Sequence, residues 1–192
     1  MNLESLNPQQ LDAVRHDKGP LLVVAGAGSG KTRVITCRIA NLIQQGMHPD
    51  NILAITFTNK AAGEMKQRVF NILSSEGLSS PWISTFHSFC LRLLRKHISE
   101  LGYSREFIIY DASDQLSLIK QCMKSIDIDA EAFPPKALLN HISGFKNDFI
   151  FPVDVDADNL PFGAKMKAAE VYPLYQKSLK RSNALDFDDL LI

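Results

Sequence analysis

One glycine-rich run constrains the possible folds of this chain more than any other feature. The run is Ala25-Gly26-Ala27-Gly28-Ser29-Gly30-Lys31-Thr32, and it lies between the apolar stretch Leu21–Val24 and a segment of helical character, 33–40. Glycines let the backbone curl so that successive N–H groups point inward, which suits phosphate oxygens. The positive end of the following helix adds to this preference. The run therefore predicts a strand, a phosphate-binding loop and a helix, which together hold a nucleoside triphosphate.

The loop residues divide the predicted work between backbone and side chains. We expect four of them to surround the nucleotide phosphates: Ala27, Gly28, Ser29 and Gly30. The Lys31 ammonium would reach the β- and γ-phosphates and the Thr32 hydroxyl would ligate Mg²⁺, which makes these two the candidate catalytic residues. The usual pattern is G-x-x-x-x-G-K-S/T, and here Ala25 stands at its first position. The alternative is a glycine-rich turn followed by an unrelated lysine.

The charge balance restricts how this chain could meet nucleic acid. The 192 residues carry 21 Lys and Arg against 21 Asp and Glu, so the formal net charge is zero. A nucleic-acid partner would therefore have to bind a local basic face. Seven basic residues against three acidic ones lie between 60 and 105, whereas seven acidic residues against two lysines lie between 127 and 158. We expect phosphate contacts on the first of these segments, with a solvated mixed face as the alternative.

Cysteine usage and hydropathy favour a cytoplasmic protein. Cys37, Cys90 and Cys122 are widely spaced and form no C-x-x-C pair, which is typical of reduced thiols. The longest apolar run has the length of a strand and is too short to cross a bilayer. The N-terminus lacks the basic and apolar regions of a signal peptide. We therefore expect a cytoplasmic chain that makes no membrane contact.

The order of predicted elements indicates an α/β fold. Three strand-like runs, Leu21–Ala25, Ile52–Phe57 and Trp82–Ser84, alternate with segments of helical length. Crossovers of that length are typical of a parallel sheet with helices on both faces. The first run is apolar throughout, as expected for a strand that is buried on both faces.

The pattern changes after Tyr103, where helical segments dominate. We predict three helices there, over 113–126, 134–147 and 163–181. Pro173 should kink or divide the third. The predicted organisation is a P-loop core over residues 1–104, a mostly helical subdomain over 105–182 and a return to the core over 183–192.

Polar motifs follow the second and third strand-like runs. Thr58-Asn59-Lys60 comes after the second run, and Thr85-Phe86-His87 comes after the third. Because the carboxyl ends of parallel strands meet at one edge of a sheet, these motifs and the glycine loop should line one ligand track.

Taken together, these stretches resemble one protein family. LNPQQ (6–10), AGAGSGKTRV (25–34), TFTNKAAGEMKQRV (56–69), STFHSF (84–89) and LDFDDLL (185–191) occur in the order and spacing of the superfamily-one DNA helicases of the UvrD, Rep and PcrA family. The resemblance covers essentially the whole chain, and the Rep branch of the family matches best. It implies the N-terminal part of an ATP-dependent DNA helicase. It also implies a RecA-like P-loop NTPase fold, into which the helical subdomain is inserted.

The resemblance further implies roles for individual residues. Gln10 would read the adenine edge, and Arg33 would lie close to the nucleotide. Six residues would contact single-stranded DNA: Phe57, Thr58, Asn59, Lys60, Thr85 and His87. An aromatic ring stacks on any base, and hydroxyl or amide groups hold the phosphate backbone without reading its sequence.

Each of these residues also has a purely structural interpretation. Phe57 could belong to the core because it ends an apolar strand. Thr58 and Thr85 could serve only as helix caps, and His87 could be structural. Gln10 could be an ordinary surface glutamine. Helix capping explains three aspartates of the LDFDDLL stretch as well as a functional role does: Asp186, Asp188 and Asp189.

The resemblance implies further parts that this sequence does not contain. In the family a Walker B strand ending in Asp-Glu follows the LDFDDLL stretch and supplies a Mg²⁺ ligand and the carboxylate that activates water. A second motor domain adds arginines that stabilise charge on the γ-phosphate. We therefore expect a fragment of an enzyme that couples ATP hydrolysis to 3′–5′ movement on single-stranded DNA and unwinds forked or 3′-tailed duplex, in replication or repair. By itself the fragment should be inactive.

Three other interpretations stay open on the sequence alone. The first is the helicase portion of a RecB- or AddA-like helicase–nuclease. The second is a P-loop kinase or transferase, in which the TFTNKAA and STFHS stretches would have no purpose. The third is a nucleic-acid-binding module that has lost turnover, although Gly30, Lys31 and Thr32 are intact.

Overall fold

The chain has a mixed α/β architecture and divides into two compact units, Met1–Phe86 and His87–Ile192. The computed structural model describes residues 3–73 and 80–192. These residues form seven α-helices and two sheets, each of two parallel strands. None of the helices in the described ranges is long and apolar enough to cross a membrane. The domain boundaries expected near residues 104 and 182 stay predictions.

The first unit packs helices against one parallel strand pair. Its elements are α1 (Pro8–Arg15), α2 (Lys31–Gln44), a 3₁₀ turn (Pro49–Asn51), β1 (Leu53–Thr56), α3 (Asn59–Leu73) and β2 (Trp82–Thr85). β1 and β2 confirm the second and third predicted strands, and their register places Thr56 opposite Thr85. Buried side chains of α2, α3 and both strands form one apolar cluster, which includes Ile43, Val69 and Ile83.

Local sequence explains where the first two helices begin. The Asn7 side chain accepts a hydrogen bond from the Gln10 N–H at 2.8 Å, and the Gln10 side chain accepts one from the Asn7 N–H at 3.1 Å. This capping box, with Pro8 in the first helical turn, confirms the predicted start of α1. α2 begins after Gly30, which has a left-handed backbone conformation. Glycine adopts this conformation without steric cost.

The strand predicted over Leu21–Ala25 is not formed. These residues adopt no regular secondary structure, and Leu22 and Val24 are 86% and 87% exposed. A strand requires ladder hydrogen bonds from a neighbour, and in the described part of the chain β1 and β2 pair only with each other. An apolar run becomes a buried strand only where other strands and helices cover it. The prediction of a strand here is wrong, whereas the loop and the helix that follow are confirmed.

The second unit is mostly helical. Its elements are α4 (Phe86–His97, which begins at the last residue of the first unit), a 3₁₀ turn (Ile98–Leu101), β3 (Ile108–Ile109), α5 (Ala112–Ser125), α6 (Pro135–Asn147), α7 (Ala164–Arg181), β4 (Ala184–Leu185) and a 3₁₀ turn (Asp188–Leu190). β3 pairs in parallel with β4. Helices α5, α6 and α7 confirm the three helices predicted after Tyr103.

Helices α5, α6 and α7 share one apolar core. Ile119, Leu138 and Tyr172, one from each helix, are almost completely buried. Burial of an aliphatic side chain of this size contributes about 1.5–3 kcal/mol. α7 continues through Pro173, so the expected division of this helix is absent. Pro173 is exposed, so its ring displaces no core side chain, although it removes one backbone hydrogen bond from the helix interior.

Candidate functional site

The glycine-rich run forms a loop that short-range hydrogen bonds close. The Ser29 hydroxyl donates to the Gly26 carbonyl at 2.7 Å. Gly28 and Gly30 have φ angles of +77° and +86°, in the left-handed region that favours glycine. A Cβ atom on Gly30 would also lie 2.9 Å from the Gln10 Nε2 atom. The loop conformation therefore depends on glycine at these two positions.

Lys31 folds back onto this loop. Its ammonium donates to the carbonyls of Ala25 at 2.7 Å and Gly26 at 2.6 Å. Gly30 gives α2 no side-chain cap, so no side chain at this position satisfies the first N–H groups of the helix. A lysine in the first turn of a helix whose N-terminal N–H groups have no side-chain cap is an arrangement that can bind anions. The loop therefore fits a triphosphate.

The residues near the loop fit Mg²⁺ that is shared with a substrate. Thr32 is exposed on the first turn of α2, and its hydroxyl is an oxygen ligand of the type that Mg²⁺ prefers. The residues that the structure describes contain no group of three or more His, Cys, Asp and Glu that could hold a metal. Because Mg²⁺ is usually held by one or two protein groups together with substrate phosphates, a lone hydroxyl beside an anion site is compatible with it.

Gln10 approaches the loop from α1. Its Nε2 atom donates to the Ser29 carbonyl at 2.9 Å, so this side chain contacts the loop in addition to capping α1. Arg33, on the first turn of α2, donates to the Ser5 hydroxyl. Two of the predicted nucleotide-binding side chains are therefore held in place by contacts on the α1 side of the unit.

The segment after β1 exposes several groups that could contact DNA. Phe57 is 94% exposed, so the core interpretation of this residue is wrong. The Thr58 hydroxyl accepts a hydrogen bond from the Ala61 N–H at 3.1 Å, which makes it the cap of α3. Asn59 and Lys60 lie exposed in the first turn of that helix.

Thr85 lies at the same edge of the sheet as this segment. It ends β2 opposite Thr56, and it is buried. A buried threonine has little side-chain surface to offer a ligand, so its position at the strand end is the part of the prediction that the structure supports.

His87 lies in the second unit, in the first turn of α4. Its side chain is exposed, and its imidazole meets the Phe187 ring edge-on, with ring centroids 6.0 Å apart. Phe187 belongs to the LDFDDLL stretch and is 50% exposed. His87 is a predicted DNA contact, whereas Phe187 belongs to no predicted site.

Comparison with known proteins identifies the family. The sequence model described as UvrD/REP helicase N-terminal domain matches residues 6–192. This chain belongs to the UvrD/Rep helicase family. Curated relatives include the proteins named ATP-dependent DNA helicase PcrA from Staphylococcus epidermidis and Staphylococcus aureus, which are 48% and 46% identical over 191 residues. The matches cover 99% of this chain and 26% of each relative, so the chain spans about a quarter of their length.

The match to the UvrD/Rep family contains every predicted site residue, from Gln10 to His87. It also contains the LDFDDLL stretch. A closer relation to the Rep branch stays a prediction.

A buried charged cluster in this UvrD/Rep family chain lies outside every predicted site. Lys146 Nζ lies 2.7 Å from Asp186 Oδ2 and 2.7 Å from Asp189 Oδ1. The sequence carries one signal for it, because Lys146 falls on the apolar face of α6, four residues after Ile142 and eight after Leu138. Capping is also present, since each aspartate accepts the backbone N–H of the other. Capping by Asp186 and Asp189 is therefore present, and it accounts for only part of what these two carboxylates do.

Burial changes the protonation of groups around this cluster. Burial raises the pKa of the Asp189 carboxyl, and the Lys146 ammonium opposes the rise. Burial, and then the nearby carboxylates of Asp186 and Asp189, raise the pKa of both Tyr172 and Tyr175. These tyrosines therefore stay protonated well above their ordinary range.

All three cysteines are free thiols, as predicted. Burial raises the pKa of Cys37, and burial likewise raises the pKa of Cys122. Neither thiol has the exposed thiolate character that a reactive cysteine requires.

Proposed function

We propose that this chain is the nucleotide-binding and DNA-binding N-terminal part of an ATP-dependent DNA helicase. The whole protein would move 3′ to 5′ on single-stranded DNA and unwind forked or 3′-tailed duplex. One observation carries the proposal: a single compact unit, 1–86, combines a glycine-rich loop that bears the Lys31 ammonium with an exposed aromatic ring at the end of a parallel strand pair. The name of the curated relatives, ATP-dependent DNA helicase PcrA, supports the same activity. A RecA-like motor domain with a helical insertion over 105–182 would carry these groups.

The loop would bind ATP by an exchange of contacts. The Lys31 ammonium, which satisfies the carbonyls of Ala25 and Gly26, would turn to the β- and γ-phosphates, because an ionised acceptor makes the stronger hydrogen bond. The N-terminus of α2 would hold the remaining phosphate charge. A glutamine amide has two donors and two acceptor lone pairs, and Gln10 uses one of each on Asn7 and Ser29. The other donor and lone pair remain for the adenine edge.

Thr32 would hold Mg²⁺ together with the phosphates. When bound, Mg²⁺ neutralises charge on the β- and γ-phosphates. The Thr32 hydroxyl would supply one oxygen, and Lys31 would orient the terminal phosphate. In the family, an Asp-Glu pair after the LDFDDLL stretch supplies the carboxylate that takes a proton from the attacking water, and by this resemblance we place that group elsewhere in the whole protein.

The residues that follow β1, from Phe57 to Lys60, would hold single-stranded DNA without reading its sequence. The exposed Phe57 ring offers a face on which any base can stack, worth about 1–3 kcal/mol per base. Asn59 and Lys60 would donate to backbone phosphates. Thr58 accepts a hydrogen bond as a helix cap, and its own O–H stays available as a donor. His87 would add a further contact from the second unit.

Specific observations favour this proposal over the alternatives. The relatives' PcrA name does not favour a RecB- or AddA-like helicase–nuclease. A P-loop kinase would leave the 94% exposed Phe57 ring without a purpose. The intact Gly30-Lys31-Thr32 run argues against a binding module that has lost turnover through substitution in the loop.

Binding of labelled single-stranded oligothymidylate, followed by fluorescence anisotropy at low salt, tests the proposal. Phe57→Ala should weaken binding roughly tenfold, because one stacking contact is lost. Phe70→Ala is the matched control, since Phe70 is an exposed phenylalanine on α3 outside the TFTNKAAGEMKQRV stretch, 56–69. Blunt duplex of equal length should bind less tightly than the single strand. Equal affinities of the Phe57→Ala and Phe70→Ala variants for the single strand would refute the DNA-binding part.

A further inference from the structure

We propose that Lys146 is a positioning residue that sets the Phe187–His87 contact and, through it, the affinity for single-stranded DNA. Only the DNA consequence rests on the proposed function. The proposed coupling runs from a buried ion cluster, through a short turn, to an exposed aromatic pair. All of the residues involved lie in the second unit.

The first step is a lysine that clamps two carboxylates. Lys146, near the end of α6, is completely buried, and its Nζ atom lies 2.7 Å from an oxygen of each aspartate, Asp186 and Asp189. The Tyr175 hydroxyl donates to Asp186 Oδ2 at 3.1 Å, and Gln176 Nε2 donates to Asp189 Oδ1 at 3.0 Å. Helices α6 and α7 therefore both hold the segment that follows β4.

The second step is the shape of that segment. The carboxylate oxygen that does not face Lys146 accepts a backbone hydrogen bond in each aspartate. The Asp186 N–H donates to Asp189 Oδ2 at 3.1 Å, and the Asp189 N–H donates to Asp186 Oδ1 at 2.9 Å. Both oxygens of both carboxylates are thus engaged, one on the cluster and one on the turn. Two residues, Phe187 and Asp188, lie between these fixed points, so their backbone positions follow the carboxylates.

The third step is the aromatic contact. Phe187 projects from the turn and is half-exposed, and its ring meets the His87 imidazole at 6.0 Å between centroids and 68° between planes. Edge-to-face pairs of this geometry are favourable and directional. The Phe187 ring therefore lies beside His87, the predicted DNA contact, and the ion cluster holds the backbone of Phe187 in place.

The chemistry of the cluster argues for a positioning role. A buried ion pair is weak support for stability, since apolar residues of similar volume often replace it at no cost. Fixing one arrangement is the better-attested use of such groups. The same physics guides the choice of variants, because Lys146→Met alone leaves two buried carboxylates uncompensated. The triple variant Lys146→Met/Asp186→Asn/Asp189→Asn removes all three charges and keeps acceptors for the two backbone N–H groups.

Proton NMR of the 192-residue chain tests the positioning step without DNA. In the wild-type chain we expect a nuclear Overhauser effect between the His87 and Phe187 ring protons and a ring-current shift of the His87 signals. Lys146→Met should remove the nuclear Overhauser effect and change the ring-current shift. Ile142→Val, which deletes one buried methyl group on the same face of α6, should change neither. If Lys146→Met does not fold, the charge-free triple variant replaces it. A folded variant that keeps both wild-type signals would overturn the proposal.

Anisotropy with labelled oligothymidylate tests the DNA step. Lys146→Met, or the triple variant, should weaken binding about three- to tenfold, whereas Ile142→Val should bind like the wild type. Loss of the His87–Phe187 signal with unchanged DNA affinity would overturn the link to DNA. If His87→Ala also left the affinity unchanged, the failure would lie in the proposed role of His87. If the affinity fell for His87→Ala alone, the failure would lie in the role of Lys146.

Discussion

Gln10 connects two local structures through the two ends of one amide. Its Oε1 atom accepts the Asn7 N–H and closes the capping box, and its Nε2 atom donates to the Ser29 carbonyl. The cap could be predicted from sequence, because Asn followed by Pro marks a helix start. The loop contact could not, because its partners are 19 residues apart and meet only when α1 packs on α2.

Gln10→Glu separates these two contacts. The substitution keeps an acceptor for the Asn7 N–H, and it replaces the donor to Ser29 with a carboxylate oxygen that repels the carbonyl and a triphosphate. We expect about tenfold weaker MgATP binding with little change in the free energy of unfolding. Fluorescence of a labelled ATP analogue measures the affinity. Gln9→Glu adds the same charge at the neighbouring exposed position, and equal affinities of the two variants would contradict the assignment.

Gly30→Ala tests the conformation of the loop. The left-handed φ of +86° disfavours a Cβ atom, and that atom would also lie 2.9 Å from Gln10 Nε2. We expect a loss of about 1–2 kcal/mol in the free energy of unfolding by urea. Gly26→Ala should be close to neutral, because Gly26 has no left-handed φ and a Cβ there has no neighbour within 4 Å. Equal losses in the two variants would show that the loop has another conformation.

At the scale of elements, the sequence predicts strands well where a partner strand is close. Apolar runs predict β1 and β2, and these strands pair directly with each other. Helix α3 lies between them along the chain. Leu21–Ala25 is also an apolar run and forms no strand, because burial of a strand depends on what covers it. α7 shows the opposite effect, since packing of its buried face keeps the helix intact where Pro173 predicts a break.

Pro173→Ala tests how α7 tolerates its proline. Alanine restores an N–H to the helix interior and relieves the ring's clash with the preceding turn. Because Pro173 is exposed, the change disturbs no core contact, and we expect stabilisation by about 1 kcal/mol or more. Urea unfolding followed by circular dichroism measures this. A lower unfolding midpoint would mean that proline contributes a contact of its own.

At the scale of the whole molecule, long-range packing decides where the compact units divide. Composition changes after Tyr103, and the two compact units divide between Phe86 and His87. The reason is that Leu91 and Leu94 of α4 pack on Phe107 and Leu185, which come later in the chain. Contacts of this kind are invisible to local composition. They place the nucleotide loop and Phe57 in one unit and His87 in the other.

Alkaline pH should destabilise the second unit through its buried tyrosines. Burial, and then the nearby carboxylates, raise the pKa of Tyr172 above its ordinary value of 10.0. Between the unfolded and folded pKa values the folded state holds more protons, so stability falls as pH rises above about 10, by at most roughly 1.4 kcal/mol per pH unit for each such tyrosine. Urea unfolding at several pH values should show this slope. Tyr172→Phe should reduce the slope, and an unchanged slope would contradict the burial of this hydroxyl.

The proposed function depends most directly on the glycine-rich loop as a triphosphate site. Isothermal titration of the 192-residue chain with MgATP measures that property. We predict saturable binding to one site, which Lys31→Ala weakens at least tenfold because a charged hydrogen bond to phosphate is lost. Lys18→Ala, at an exposed position outside the loop, should leave binding unchanged. Equal MgATP affinity in the wild-type and Lys31→Ala chains would contradict the proposed triphosphate site.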